Sequence, residues 1–275
     1  MKYSQEFKIL EKSLLAPATY YFKIEAPLVA KKAQAGQFIM IRPNSTSERM
    51  PLSLAGWDRE AGYLELIIMG TGFTSKEAVS KEVGDSFSDL VGPLGQRSHV
   101  KKYDATSVLI GGGYGVGAII PTAIDLKKLG NRVIGVIGAR NESLLLMEDR
   151  LRDVCDEVYI TTNDGSKGIK GFVTHALSAI MENEKVSMTL AVGPVPMMKA
   201  VSDMLSDTPV ESWVSLNAIM VDGTGMCGAC RVNVGGKTLF ACFHGPDFDG
   251  KKVNYAELMT RQTMFAESEK VIAGE

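Results

Sequence analysis

Ser107-Val108-Leu109-Ile110-Gly111-Gly112-Gly113-Tyr114-Gly115-Val116-Gly117 sets the architecture of this chain. A short apolar strand runs into a glycine-rich turn. Ala118-Ile119-Ile120-Pro121-Thr122-Ala123 then opens a helix expected to end at Gly130, and Arg132-Val133-Ile134-Gly135-Val136-Ile137-Gly138 is the next strand. This is a β-α-β unit whose first turn suits a dinucleotide phosphate, because glycines admit close backbone approach and the helix N-terminus faces the anion. A merely tight turn would use the same glycines. Gly112, Gly113, Gly115 and Gly117 are the candidate nucleotide contacts. The usual fingerprint places an acid at the end of the second strand for the ribose hydroxyls. Here Arg140 follows Gly138-Ala139. Arginine can hold the 2′-phosphate of NADP or lie over the adenine, so NAD(H) and NADP(H) both stay open.

Downstream the alternation continues. Residues 142–152 read as helix, Glu157-Val158-Tyr159-Ile160-Thr161-Thr162 as strand, 173–181 as helix and Met188-Thr189-Leu190-Ala191-Val192 as strand. Strands alternating with helices predict a parallel sheet covered on both faces, with ligands at the strand C-termini. The loops carrying Gly111, Arg140, Asp164 and Gly193 are therefore expected to form one cleft.

Towards the C-terminus, Asp222, Cys227, Cys230 and Cys242 gather three of the four cysteines around Gly223-Thr224-Gly225-Met226 and Gly228-Ala229. A Cys-x4-Cys-x2-Cys run plus one distant Cys holds plant-type [2Fe–2S] clusters. Here an Asp stands in the first position. Small residues between the ligands let backbone pass close to the inorganic sulfides. The expectation is a [2Fe–2S] cluster held by Asp222, Cys227, Cys230 and Cys242. Zinc with the same four ligands, or a disulfide, are the competing readings. Cys155, far from the others, reads as a structural thiol.

Residues 1 to about 100 read as strands. Tyr20-Tyr21-Phe22-Lys23-Ile24-Glu25-Ala26, Gln37-Phe38-Ile39-Met40-Ile41-Arg42 and Leu64-Glu65-Leu66-Ile67-Ile68-Met69 are punctuated by turns at short spacing, which predicts an antiparallel barrel. Two stretches there suit a flavin. Arg49, Pro51, Leu52 and Ser53 place a cation and a hydroxyl after a strand. Gly70, Gly72, Thr74 and Ser75 precede or open a helix whose free N–H groups suit a pyrophosphate. An ordinary hairpin loop and N-cap are the plainer alternatives.

The fold class that follows is a β barrel plus α/β: an antiparallel barrel over 1–101, a Rossmann-like parallel-sheet domain over 102–212 and a small cluster domain over 213–275. With 45% hydrophobic and 23% charged residues, the chain can bury real cores. A net charge of −2 gives no footprint for nucleic acid. No apolar run approaches the ~20 residues of a membrane span, and Met1 to Leu10 lacks a signal-peptide core. A soluble, cytoplasmic protein is expected.

In this order the segments resemble the ferredoxin-reductase-type electron-transfer subunits of bacterial and archaeal flavoenzymes. Gly223 to Cys230 with Cys242, Asn163-Asp164-Gly165-Ser166 with Lys170-Gly171-Phe172-Val173-Thr174, and Gly193-Pro194-Val195-Pro196-Met197 carry the likeness. Two branches are similar: the dihydroorotate dehydrogenase electron-transfer subunit, with Cys where Asp222 stands, and the small subunit of NADH-dependent ferredoxin:NADP oxidoreductase (also described as sulfide dehydrogenase), known for Asp there. Asp222 favours the second. One departure concerns the flavin motif Arg-x-Tyr-Ser: Arg49 lies four residues before Ser53 and Met50 occupies the expected arginine place. The resemblance implies hydride transfer from NAD(P)H, with a lean to NAD(H), to FAD in the barrel, then single electrons through the cluster. It also implies a larger flavin and [4Fe–4S] partner subunit, electron bifurcation in the complex, and no side chain acting as catalytic acid or base. A dihydroorotate dehydrogenase partner, or a redox-sensing module without turnover, are the alternatives.

Overall fold

The computed structural model describes residues 6–265; the first five residues of the N-terminal stretch lie outside it. The chain begins with β1 (Phe7–Ala16), β2 (Thr19–Glu25), the short α1 (Pro27–Ala30), β3 (Phe38–Arg42), β4 (Met50–Ser53), β5 (Gly56–Asp58) and β6 (Tyr63–Met69). Helix α2 (Phe73–Ser80), β7 (Ser86–Phe87) and β8 (Asp89–Leu94) complete this part. Two antiparallel sheets, ordered β5-β6-β2-β1-β7 and β4-β3-β8, enclose Phe22, Ile24, Ile39, Ile41, Leu64, Leu66, Ile68 and Phe87. The expected antiparallel barrel architecture is present. β1 gave no sequence signal because only Ile9 and Ala16 of its residues are buried.

The middle of the chain runs β9 (Thr106–Gly112), α3 (Gly115–Lys128), β10 (Val133–Ala139), α4 (Glu148–Arg152), β11 (Glu157–Thr162), β12 (Ile169–Lys170), α5 (Val173–Asn183), β13 (Val186–Val192), α6 (Val195–Met204) and β14 (Glu211–Ser215). Every residue of β9 is buried, which is why it reads as an unbroken apolar run. Residues 142–152 do not form the single helix expected of them. A 3-10 turn at Glu142–Leu144 is followed by extended Leu145 and left-handed Met147 (φ 56°), leaving α4 only five residues. The break seats Leu146 against Ala16, Ala55 and Ile67 of the barrel, so packing between domains overrides local helix propensity.

The last part contains β15 (Arg231–Val234), β16 (Lys237–Phe240), α7 (Ala241–His244), β17 (Asp247–Asp249) and α8 (Tyr255–Gln262). β15 and β16 pair as a hairpin, while β17 adds antiparallel to β14 and completes a seven-stranded sheet ordered β12-β11-β10-β9-β13-β14-β17. β14 crosses position 212, so the parallel sheet extends into the C-terminal segment. One apolar core runs from Val108, Ile110 and Val136 through Val201 and Val214 to Cys230, Cys242, Phe248 and Leu258. No helix among the described residues is long and apolar enough to cross a membrane.

Candidate redox site

The sheet order reverses direction between β9 and β13, and open α/β sheets bind ligands at the strand C-termini beside such a reversal. Four expected loops meet there in a row. Gly113 N–H donates to Gly138 O (3.1 Å), Asn163 N–H to Ala139 O (3.1 Å) and Asp164 N–H to Arg140 O (3.2 Å), which joins the ends of β9, β10 and β11. Gly193 follows β13, and a Cβ there would lie 3.1 Å from Gly112 Cα. The glycines divide by task. Gly115 starts α3 against Val192 O, where an added Cβ would come within 2.2 Å. Gly117 faces the barrel: its Cβ would lie 2.5 Å from Ile67 Cδ1. Gly113 is left-handed (φ 55°), and a Cβ added there would meet nothing within 4 Å, so its backbone is open to a ligand. Arg140 and Asp164 are exposed. The Asp164 carboxylate accepts from Ser166 N–H (2.9 Å) and Oγ (2.7 Å), which fixes the loop and holds the carboxyl below its usual pKa.

In front of this edge lies a cavity of about 380 Å³ to which all three parts of the chain contribute. Pro51, Leu52 and Ser53 line it from the barrel, Tyr114, Gly115, Gly117 and Gly193 from the nucleotide edge, and residues 215–220 from the segment after β14. The size falls in the ~300–1,000 Å³ of small-molecule sites. Tyr114, Asn217 and Met220 were not singled out from sequence. The rule that ligands sit at strand C-termini points to Asn217, just after β14, but nothing in its own residue type does.

The remaining flavin candidates are placed as follows. Arg49 is paired with Asp89 through both Nε (2.9 Å) and Nη2, so its charge is already matched. Gly70 packs on α2, where a Cβ would meet Val79 Cγ2 at 2.7 Å. Ser75 Oγ accepts from Gly72 N–H (2.9 Å) and Thr71 N–H (3.0 Å), tying down the loop that enters α2. The first main-chain bond of the helix runs from Lys76 N–H to Gly72 O, and the first-turn amides of Phe73, Thr74 and Ser75 precede it.

The loop over 222–230 begins two residues after Met220, at the edge of the same cavity. Asp222 accepts hydrogen bonds from Thr224 N–H (2.7 Å) and Cys227 N–H (2.9 Å), which lower its carboxyl pKa. Left-handed Gly223, Gly225 and Gly228 allow the tight path. Cys230 and Cys242 are buried, with their Sγ atoms 3.1 Å apart. Burial pushes the Cys242 thiol up to about 12, so a thiolate there needs a bound cation. Cys227 is exposed, and all four cysteines are free thiols. Among the described residues no three His, Cys, Asp or Glu side chains converge in the manner of a single-ion site. The four candidates instead form two adjacent pairs, Asp222 with Cys227 and Cys230 with Cys242. Cys155 is partly buried, which pushes its thiol up to about 12, and it lies apart from these pairs.

Residues 217–254 match the family model of the iron-sulfur cluster binding domain of dihydroorotate dehydrogenase B. A dihydroorotate dehydrogenase B (NAD(+)) electron transfer subunit homolog from Thermotoga maritima is 41% identical, covering 96% of this chain and 93% of the relative. The chain belongs to the family of dihydroorotate dehydrogenase B electron-transfer subunits and their homologues. Within that family, the electron transfer subunit of Desulforamulus reducens is 31% identical over 90% of this chain and 96% of its own. A solved structure of the NADH-dependent reduced ferredoxin-NADP oxidoreductase, a system of flavin-based electron bifurcation, superposes with a TM-score of 0.92. It is 40% identical, and the match covers 98% of both chains. The ferredoxin-reductase-like fold class is borne out, and so is the redox family.

Proposed function

We propose that the chain is an electron-transfer subunit that holds a nicotinamide nucleotide, FAD and a [2Fe–2S] cluster in sequence and delivers single electrons to a larger partner subunit. The carrying observation is the shared cavity, which touches the nucleotide edge at Gly115 and Gly193 and ends at Met220, beside the cysteine loop. When bound, the flavin supplies the step between paired and single electrons. The chain itself binds and spaces the groups. Pro51, Leu52 and Ser53 form one wall for the flavin ring, and Tyr114 with Gly115 forms the opposite wall. Thr74 and Ser75 offer helix-start amides to its pyrophosphate, and Gly72, its own N–H held by Ser75 Oγ, sets the turn that presents them. Open Gly113 and exposed Arg140 flank the nucleotide. The pairs Asp222 with Cys227 and Cys230 with Cys242 would together hold a binuclear cluster, whereas zinc needs one convergent set.

NAD(H) is the proposed nucleotide, in line with the relatives named above. The proposed partner is a flavin and [4Fe–4S] subunit in an electron-bifurcating ferredoxin:NADP oxidoreductase, because Asp rather than Cys stands at 222. Anaerobically purified protein should contain FAD, two irons and two sulfides per chain, and should pass electrons from NADH to a dye. A colourless protein after cluster reconstitution would sink the reading. Co-purification of a dihydroorotate-oxidising subunit instead would move it to the other branch.

A further inference from the structure

Behind the flavin cavity, and sharing only Ala55 with it, a second cleft of about 500 Å³ opens between the barrel and the outer half of α3. It lies on the side of α3 away from the strand C-termini. Its lining is mixed; the apolar part includes Pro121, Ile124 and Leu129, and Ile124 and Leu129 are 37% and 49% exposed. Its rim is cationic. Arg150 is matched by Glu65 (2.6 Å) and Lys128 by Asp125 (2.9 Å). Arg59 donates only to Ala33 O (3.0 Å) and sits 6.0 Å from the Trp57 ring centroid. Among the described residues neither Arg59 nor Arg97 pairs with a carboxylate, so the cleft holds two uncompensated guanidinium groups beside one indole.

We propose that this cleft binds a small phosphorylated aromatic ligand of the nucleoside diphosphate class, at a site separate from the nicotinamide and flavin sites. Two unpaired guanidinium groups match a dianion, and their planar forks suit phosphate oxygens. Trp57, with Pro121 and Ile124 beside it in the lining, suits a planar base. The volume is that of a small-molecule site. Because one wall is barrel and the other is α3 with α4, an occupant bridges the two domains.

The test titrates ADP calorimetrically into the flavin- and cluster-bearing protein with its nucleotide cleft saturated by NAD+. ADP should bind, adenosine should bind more weakly, and affinity should fall with added salt. Arg59→Gln with Arg97→Gln should weaken ADP by about tenfold or more. Lys128→Glu, on the helix surface, should do likewise by charge reversal, while Arg140→Gln should leave the affinity unchanged. Bound ADP should slow amide exchange in 121–129 and 148–152. Absence of ADP binding at millimolar concentration overturns the proposal. So does binding that survives both rim changes but is lost in Arg140→Gln, which would place ADP in the nucleotide cleft.

Discussion

Replacing Gly115 by Ala tests whether the reversal between β9 and β13 is held by backbone contact. The new Cβ would stand 2.2 Å from Val192 O and 2.7 Å from Val192 C. Both atoms belong to the end of a buried strand paired on two sides, so neither can rotate away as a flexible side chain would. Bringing the closer contact out to 3.0 Å moves α3 or β13 by about 0.8 Å. Overpacking of this kind costs about 1–3 kcal/mol. Gly115 is the first residue of α3, so alanine's advantage of about 0.5–1 kcal/mol in a helix interior is largely forgone, and the net loss stays about 1–3 kcal/mol. For a chain of this size that lowers the melting temperature by about 2–12 °C. The same displacement shifts the nucleotide edge against the flavin cavity, and a 1 Å misplacement costs on the order of 10²-fold in rate. Scanning calorimetry and stopped-flow reduction of the flavin by NADH read the two effects. Gly113→Ala is the comparison for folding alone, since Gly113 itself flanks the nucleotide: nothing in the chain lies within 4 Å of its Cβ, so its stability loss is the left-handed backbone cost of about 1–2 kcal/mol. Wild-type melting and wild-type flavin reduction in Gly115→Ala would refute the argument.

Two further outcomes are expected. Asp222→Cys should keep the cluster but move its midpoint potential, because ligand type and net charge set that potential; an unchanged potential and EPR spectrum would remove Asp222 from the ligand set. Asp247→Asn should raise the melting temperature at pH 8, with the gain vanishing near pH 4. The Asp247 carboxyl is buried, with Ser98 Oγ donating to one oxygen (2.6 Å), the other oxygen unpartnered, and Ser215 opposite it in the strand register. Burial raises its pKa against the opposing pull of Ser98, Ser215 and His99. A raised carboxyl favours the fold at low pH, and that contribution is lost as pH rises through the folded value. A gain that is the same at every pH would overturn this account.

The parallel sheet was legible because β9, β10 and β13 are buried on both faces and leave long apolar runs. The cluster loop was legible because metal spacing is local in sequence. Other features depend on contacts that no local pattern carries. Helix 142–152 is broken so that Leu146 can reach Ile67, far away in the chain. Arg49 reads as a free cation beside Ser53 until β3 brings Asp89 next to it, since β4 and β8 both flank β3. Of the glycine-rich turn, the residue types alone did not separate Gly113, which opens outward, from Gly115 and Gly117, which exist to let strand and barrel come near.

β17 fixes more than a sheet edge. Ser215 and Asp247 are register partners, Leu216 N–H reaches Pro246 O (2.9 Å), and Gln96 binds Gly245 O through its amide (2.7 Å) and Phe243 O through its side chain (2.8 Å). The cysteine-bearing module is thereby riveted to both neighbours rather than strung on a tether. A carrier built this way does not swing between donor and acceptor. Its internal hop spans a frozen gap and should be indifferent to solvent viscosity.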